Sequence, residues 1–309
     1  MSRRNRHVVG LWPVIAAVAV VTGVWMVLAG LRLDWRNALL PAFAVLGLEG
    51  TAAFYTYRRP EVRFAATLSG LAQLIAFSAV AVCLSYAAAS TAGPFWDESL
   101  VSWDRALGFD WRAYLAFVDA TPWLGLFLTI AYQSLQVQLA LVMVVLGFSG
   151  RVRDIRTFLF AYVIAGLATV ITSALMPAMA MYALFKLQPA DFPHLAPAAA
   201  YVHVAAMDGL RAGTLRLVSV TQGEGIITFP SFHAVLGVLI TMALWPVYWL
   251  RWPVLVLNVL LVAAAPIDGG HYLIDILAGS GLAVLANRLA GYLATDTVRG
   301  AILKLADAR

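Results

Sequence analysis

Residues 266–279 read Pro-Ile-Asp-Gly-Gly-His-Tyr-Leu-Ile-Asp-Ile-Leu-Ala-Gly and place titratable side chains inside an otherwise apolar C-terminal third. His271 and Asp275 are four residues apart, so on a helix the carboxylate can accept the imidazole N–H and fix which ring nitrogen is free to react. Gly269 and Gly270 suit a tight turn into a helix whose first N–H groups face an anion such as a phosphate. The pattern predicts an oriented, reactive histidine; for this pair alone, a solvated helix cap is the alternative.

A second stretch, residues 225–233, reads Gly-Ile-Ile-Thr-Phe-Pro-Ser-Phe-His and predicts another histidine at the start of a helix. Ser231 is suited to cap the helix, which places His233 in its first turn. Two histidines in the same kind of position favour a reactive site over two unrelated caps.

Together, Phe-Pro-Ser-Phe-His and the later Gly-His-Tyr-Leu-Ile-Asp resemble the second and third signature motifs of the phosphatidic acid phosphatase type 2 (PAP2) superfamily. The closer resemblance is to its inositol phosphorylceramide synthase (aureobasidin-resistance) branch, and residues 104–111 resemble the region before that branch's motifs. Phe232 replaces the usual glycine, Ala264 and Ala265 replace the expected Ser-Arg, and the basic first motif has no match. The named branch is similar in lacking those basic residues.

The composition excludes an ordinary soluble domain. Of the 309 residues, 62% are hydrophobic and 12% charged, the mean hydropathy is +0.84, and apolar runs of the ~20 residues needed to span a bilayer recur along the chain. The net charge of +5 lies mainly in short loops, which indicates contact with anionic lipid head groups rather than nucleic acid. The single cysteine, Cys83, excludes an internal disulfide.

The apolar runs predict an all-α, polytopic membrane bundle of about eight transmembrane helices. We divide it into an N-terminal two-helix extension (1–63), a PAP2-like catalytic domain with a six-helix core (64–296) and a cytoplasmic tail (297–309). Loop charges place both termini in the cytoplasm and both histidines at the extracytoplasmic face of the plasma (inner) membrane. The expected spans are residues 8–31, 38–57, 64–90, 123–148, 157–185, 230–250, 253–265 and 271–294.

Two segments outside these spans carry polar residues. Residues 91–122 mix aromatic and acidic side chains, which predicts one or two interfacial helices with their carboxylates toward water; a metal or acid–base site is the alternative. In the long external segment 186–229, residues 201–217 are expected to form an amphipathic lid, while His194 and His203 are interpreted as loop residues without a role. Arg211 is the candidate phosphate ligand, the alternative being a rim arginine among head groups.

The fourth expected span contains an unusual number of polar residues. Because such groups are costly in hydrocarbon, we expect them to face the bundle interior. Gln133 and Gln136 would then line the head-group or ceramide-like pocket. Purely structural hydrogen bonds between helices are the alternative. The polar residues of this span are Tyr132, Gln133, Ser134, Gln136 and Gln138.

The resemblance implies phosphoryl transfer without a metal or other cofactor. His271, oriented by Asp275, would attack the phosphorus and form a phosphohistidine, and His233 would protonate the leaving oxygen. Backbone N–H groups near Ser231 and Gly270, together with the candidate arginine, would hold the phosphate.

We therefore interpret the chain as a head-group transferase that acts on a phospholipid in the membrane, with a lipid alcohol as acceptor and no nucleic-acid partner. A lipid phosphate phosphatase is the close alternative. A metal-dependent membrane enzyme with a two-histidine, one-carboxylate site and a transporter are the alternatives of other classes.

Overall fold

The computed structural model describes residues 10–91, 93–221 and 225–306 and is almost entirely helical. Two short strands, β1 (Arg32–Leu33) and β2 (Leu217–Val218), pair in parallel. The predicted all-α fold is confirmed. The helices are α1 (Trp12–Leu28), α2 (Trp35–Tyr57), α3 (Val62–Ala89), α4 (Asp97–Ala106), α5 (Trp111–Asp119), α6 (Pro122–Gln133), α7 (Leu135–Phe148), α8 (Val152–Leu175), α9 (Met181–Leu184), a 3₁₀ helix (Pro189–Asp191), α10 (Ala198–Ala212), α11 (Phe232–Leu244), α12 (Arg251–Asp268) and α13 (Leu273–Ala306).

Within the described residues, five helices are long and apolar enough to cross a bilayer: α2, α3, α8, α12 and residues 273–294 of α13. A sixth span results if α5 and α6, which meet at 108°, are counted together. Helices α1, α7 and α11 are apolar but shorter. The chain is thus a helical membrane protein whose apolar helices follow the predicted order, although in the described part of the chain fewer than eight reach spanning length.

Two predicted span ends are wrong and one predicted span is interrupted, each for a local reason. The fifth span ends at Leu175 rather than residue 185, because Pro177 cannot continue a helix. The sixth ends at Leu244, just before Pro246. The fourth is broken at Ser134, whose hydroxyl donates to the carbonyl of Ala131 and so competes with the backbone ladder.

Helices α3, α7, α8, α11 and α13 enclose the largest apolar cluster, with buried side chains such as Phe77, Met143 and Phe158 at its centre. Helices α1 and α2 pack against α3. A second cluster contains Tyr132, Tyr272 and aromatic residues of α5 and α9. This second cluster surrounds the starts of α11 and α13, where the two motif histidines lie.

Candidate active site

His271 lies in the turn between α12 and α13 and is buried. Its Nδ1 is 2.9 Å from the carbonyl oxygen of Thr228 and 3.3 Å from Oδ2 of Asp275, so Nδ1 carries the proton that these two acceptors share. Burial lowers the pKa of His271 to about 4, which makes the contact with Asp275 a hydrogen bond of a neutral imidazole rather than an ion pair. The remaining nitrogen, Nε2, is therefore the one available for reaction.

His233 lies in the first turn of α11, as predicted, and Ser231 is the N-cap, its hydroxyl accepting from the N–H of Ala234. The imidazole stacks on Tyr132 with 4.1 Å between ring centroids, and its Nδ1 is 3.3 Å from the tyrosine hydroxyl. The rings of His233 and His271 are 6.3 Å apart. The structure thus brings the two predicted histidines together at one end of the bundle.

The N–H groups at the start of α13 are engaged within the protein. Those of residues 271–274 donate, in order, to the carbonyl of Ala265 at 3.2 Å, to Asp275 at 3.0 Å and, for the last two, to the carboxylate of Asp104 at 2.8 Å each. The prediction that these N–H groups face a phosphate is wrong, because side-chain carboxylates already occupy the position of the anion.

The start of α11 is different. The first-turn N–H groups of a helix lack intrahelical acceptors, and among the described residues none accepts from those of Phe232 and His233. The backbone of Ser231 donates instead to the carbonyl of Asp275 at 3.1 Å, which ties the two helix starts together. The open N–H groups of α11 therefore lie beside the histidine pair.

Two acidic residues of α4 hold this region in place. The carboxylate of Asp97 accepts from the Tyr272 hydroxyl at 2.7 Å and from the N–H groups of Met179 and Ala180, while Asp104 caps α13. Both are buried, at 6% and 1% exposure, and burial raises the pKa of each. The prediction of a solvated acidic face is thus wrong for these two carboxylates.

The backbone around the site is closely packed. Gly270 has φ +65°, and a Cβ there would press on Tyr182 and Ala180, so glycine is required. Its carbonyl accepts from the N–H of Met181 at 3.0 Å. A Cβ at Gly279 would clash with the carbonyl of Ser231, which shows how closely α13 approaches the start of α11.

Aromatic side chains of α5 and α9 bind the end of α12 rather than facing outward. Trp111 donates to the carbonyl of Pro266 at 3.0 Å, Tyr114 to that of Ala263 at 2.8 Å and Tyr182 to that of Ile267 at 2.9 Å. One or two short helices were predicted in residues 91–122, and two, α4 and α5, are present. The aromatic residues of α5 and α9 stabilise the turn that carries His271.

The other predicted ligands lie elsewhere. Gln133 and Gln136 are exposed on the outer surface of α6 and α7, so the expectation that they face the bundle interior is wrong, whereas Tyr132 and Gln138 do face inward. Arg211 ends α10 and stacks on the Phe95 ring at 3.6 Å. Its Nε and Nη2 are buried without a hydrogen-bond partner among the described residues. Among the described residues, no hydrogen bond, ion pair or ring contact joins Arg211 to either histidine.

The two histidines interpreted as loop residues differ from each other. His194 is exposed beside Asp119, whereas His203 is buried within α10 and contacts Thr228. Among the described residues, no group of three or more His, Cys, Asp or Glu side chains is arranged to hold a metal ion.

The profile of the PAP2 superfamily matches residues 98–289, which include His233, His271 and Asp275. The chain belongs to the PAP2 superfamily. Membership supports a lipid phosphatase or phosphotransferase activity in general. Searches of curated proteins and of solved structures gave no significant match.

Sequence reasoning missed four residues that shape this PAP2 site: Tyr132, Asp97, Asp104 and Thr228. Tyr132 was visible as a polar residue within an apolar span. The two aspartates were visible only as members of an acidic segment, and Thr228 acts through its backbone carbonyl, which leaves no trace in the sequence.

Proposed function

We propose that this PAP2 protein transfers a phospho-head-group from a phospholipid to a lipid alcohol through a phosphohistidine at His271, in the manner of the inositol phosphorylceramide synthase branch that its motifs resemble. The observation that carries the proposal is the histidine pair. His271 presents Nε2 because Nδ1 is occupied, and His233 lies 6.3 Å away, ring to ring.

The two steps use the free nitrogens of both rings. In the first, Nε2 of neutral His271 forms a bond to phosphorus while the bond from phosphorus to the diacylglycerol oxygen breaks, and protonated His233 gives its proton to that oxygen. In the second, His233 takes the proton of the acceptor hydroxyl as its oxygen bonds to phosphorus and the phosphorus–nitrogen bond breaks. Because Nδ1 of His233 faces Tyr132, Nε2 is the atom that carries this proton.

The electrostatics favour a diester over a monoester as substrate. Four buried carboxylates belong to this region, and no Lys or Arg side chain of the described residues pairs with any of them in an ion pair. A dianionic phosphate monoester would meet more repulsion here than a singly charged phosphodiester. The carboxylates belong to Asp97, Asp104, Asp268 and Asp275.

The phosphate contacts that we propose are the N–H groups following Ser231, which lie beside the turn that contains Gly270. Arg211 is proposed as a head-group contact, because two of its guanidinium N–H groups have no partner among the described residues and charge-assisted hydrogen bonds to phosphate are strong. Because the side chains of Gln133 and Gln136 are exposed, we do not include them among the proposed substrate contacts.

The test is a product analysis. Purified protein is incubated with phosphatidylinositol, phosphatidylglycerol or phosphatidic acid, with and without ceramide or diacylglycerol, and the lipids are followed by mass spectrometry. We expect an acceptor-dependent product from a diester, in the presence of excess EDTA. Release of free phosphate from phosphatidic acid without any acceptor-dependent product would contradict the transferase proposal and indicate a lipid phosphatase. Activity that is lost in EDTA and restored by zinc or iron would indicate a metal-dependent enzyme.

We also propose that the site opens to the extracytoplasmic side of the plasma membrane, as the loop charges favour. In a Cys83→Ser background, Glu98→Cys should react with an impermeant maleimide outside intact cells and Arg153→Cys should not. The reverse labelling pattern would place the site in the cytoplasm.

A further inference from the structure

The inner face of α10 carries one polar residue in an apolar stripe. Ala200, His203, Met207 and Leu210 follow each other at helical spacing, and all four are buried. An imidazole in such a stripe is costly unless its nitrogens are hydrogen bonded. The hydrogen bonds of His203 must therefore offset the free-energy cost of burying its imidazole.

Those partners define its protonation. Nε2 of His203 lies 3.0 Å from the hydroxyl oxygen of Thr228 and 3.4 Å from the carbonyl of Ala178. The single hydroxyl proton of Thr228 is donated to the same carbonyl at 2.9 Å. With that proton used, we assign the threonine oxygen as the acceptor of Nε2–H of His203, whose imidazole is also hydrogen bonded to the backbone of Gly225. Burial, and secondarily the nearby His271, lower the pKa of His203 to about 4, in keeping with a neutral ring.

The backbone carbonyl of Thr228 is also the closer hydrogen-bond acceptor of Nδ1–H of His271. That carbonyl oxygen is 2.9 Å from Nδ1 of His271, shorter than the 3.3 Å contact of that nitrogen with Asp275. We propose that His203 is a positioning residue for His271: by clamping the Thr228 side chain, it fixes the carbonyl that sets the tautomer and orientation of the reacting ring. The inference rests on the proposed function for its catalytic consequence.

Loss of the clamp has a defined effect. Without His203, Thr228 keeps only its bond to Ala178, its carbonyl can move, and His271 is left with the longer Asp275 contact. The population with Nε2 free and aligned then falls. Because His203 touches no reacting atom, we expect kcat to fall by about 10- to 100-fold, by analogy with the effect of changing residues that orient metal-binding side chains, with KM changed less than about twofold.

Four variants distinguish a positioning role of His203 from a role in overall stability alone. His203→Ala removes the donor, and His203→Gln supplies an amide N–H that can reach the threonine oxygen. Thr228→Val removes the hydroxyl at constant shape, and Thr228→Ser retains it. His194→Ala is the matched control, since that histidine is exposed. We expect His203→Ala and Thr228→Val to be equally impaired and no worse when combined, with His203→Gln and Thr228→Ser near wild type.

The deciding readout is independent of turnover. The chain has five histidines, so ¹⁵N-histidine NMR of the detergent-solubilised protein, assigned with His271→Ala, reports the tautomer of His271. We expect a single Nδ1–H form in wild type and a mixture in His203→Ala and Thr228→Val at unchanged thermal midpoint. An unaltered His271 signal in both variants overturns the inference. If the signal changes while wild type makes no phosphoenzyme and no lipid product, the positioning stands and the proposed function fails.

Discussion

The starts of α11 and α13 read alike in the sequence but differ in how their N–H groups are used. Each has a histidine nearby, His233 in the first turn of α11 and His271 in the turn just before α13. At α13 the N–H groups of residues 271–274 donate hydrogen bonds to acceptors within the protein, chiefly the carboxylates of Asp104 and Asp275. At α11 only the Ser231 hydroxyl serves as a cap. We therefore propose that one helix start holds its histidine still and that the other receives an anion.

The largest effect should come from removing either histidine. His271→Ala and His233→Ala should each lower kcat by about 10³-fold or more, because one removes the proposed nucleophile and the other the proposed proton carrier. Turnover is measured with the lipid substrate, and the thermal midpoint serves as the folding control. Near-normal turnover in either variant would show that the histidine at that helix start is not required for the reaction.

The next effect concerns the distance between the two helix starts. Gly279→Ala places a Cβ against the carbonyl of Ser231, which pushes α11 from α13 and should cost about 1–3 kcal/mol and about 10²-fold in kcat. Gly281→Ala is the control, since nothing lies within 4 Å of a Cβ there. Equal behaviour of the two variants in turnover and thermal unfolding would show that the helix starts need not be so close.

A smaller effect tests whether carboxylates fill the start of α13. The Asp104→Asn side chain keeps one acceptor oxygen, so the N–H group of either Leu273 or Ile274 then faces the amide NH₂, which is also a donor. We expect this to lower the free energy of unfolding by about 1–3 kcal/mol. We expect a lower thermal midpoint and about tenfold lower kcat. Glu98→Gln on the exposed face of the same helix should change neither. An Asp104→Asn protein with wild-type stability would mean that the capping contacts contribute little.

The smallest effect is expected at the exposed glutamines. Gln133→Ala and Gln136→Ala should leave kcat and KM within about twofold of wild type, because both side chains point away from the bundle. Steady-state kinetics with the diester substrate decides the point. A KM raised more than about fivefold would return these residues to the substrate pocket.

The sequence allowed prediction where the signal was local. The placement of His233, His271 and Asp275 at two helix starts could be predicted, because helical spacing and capping residues act within four residues. The all-α fold followed from apolar runs. Asp104 could not be placed, since its partner N–H groups lie 169 and 170 residues away. The face of Gln136 could not be assigned either, because apolar residues are spread all around α7, so the sequence pattern does not mark which side is buried.

The central claim is that the fixed helix start carries the nucleophile. The most direct measurement is alkaline quenching of the enzyme during turnover, followed by peptide mass spectrometry for a head-group phosphoryl adduct. The account predicts the adduct on His271 in wild type and its absence in His271→Ala. An adduct on His233, or sustained turnover with no adduct on either histidine, would contradict it.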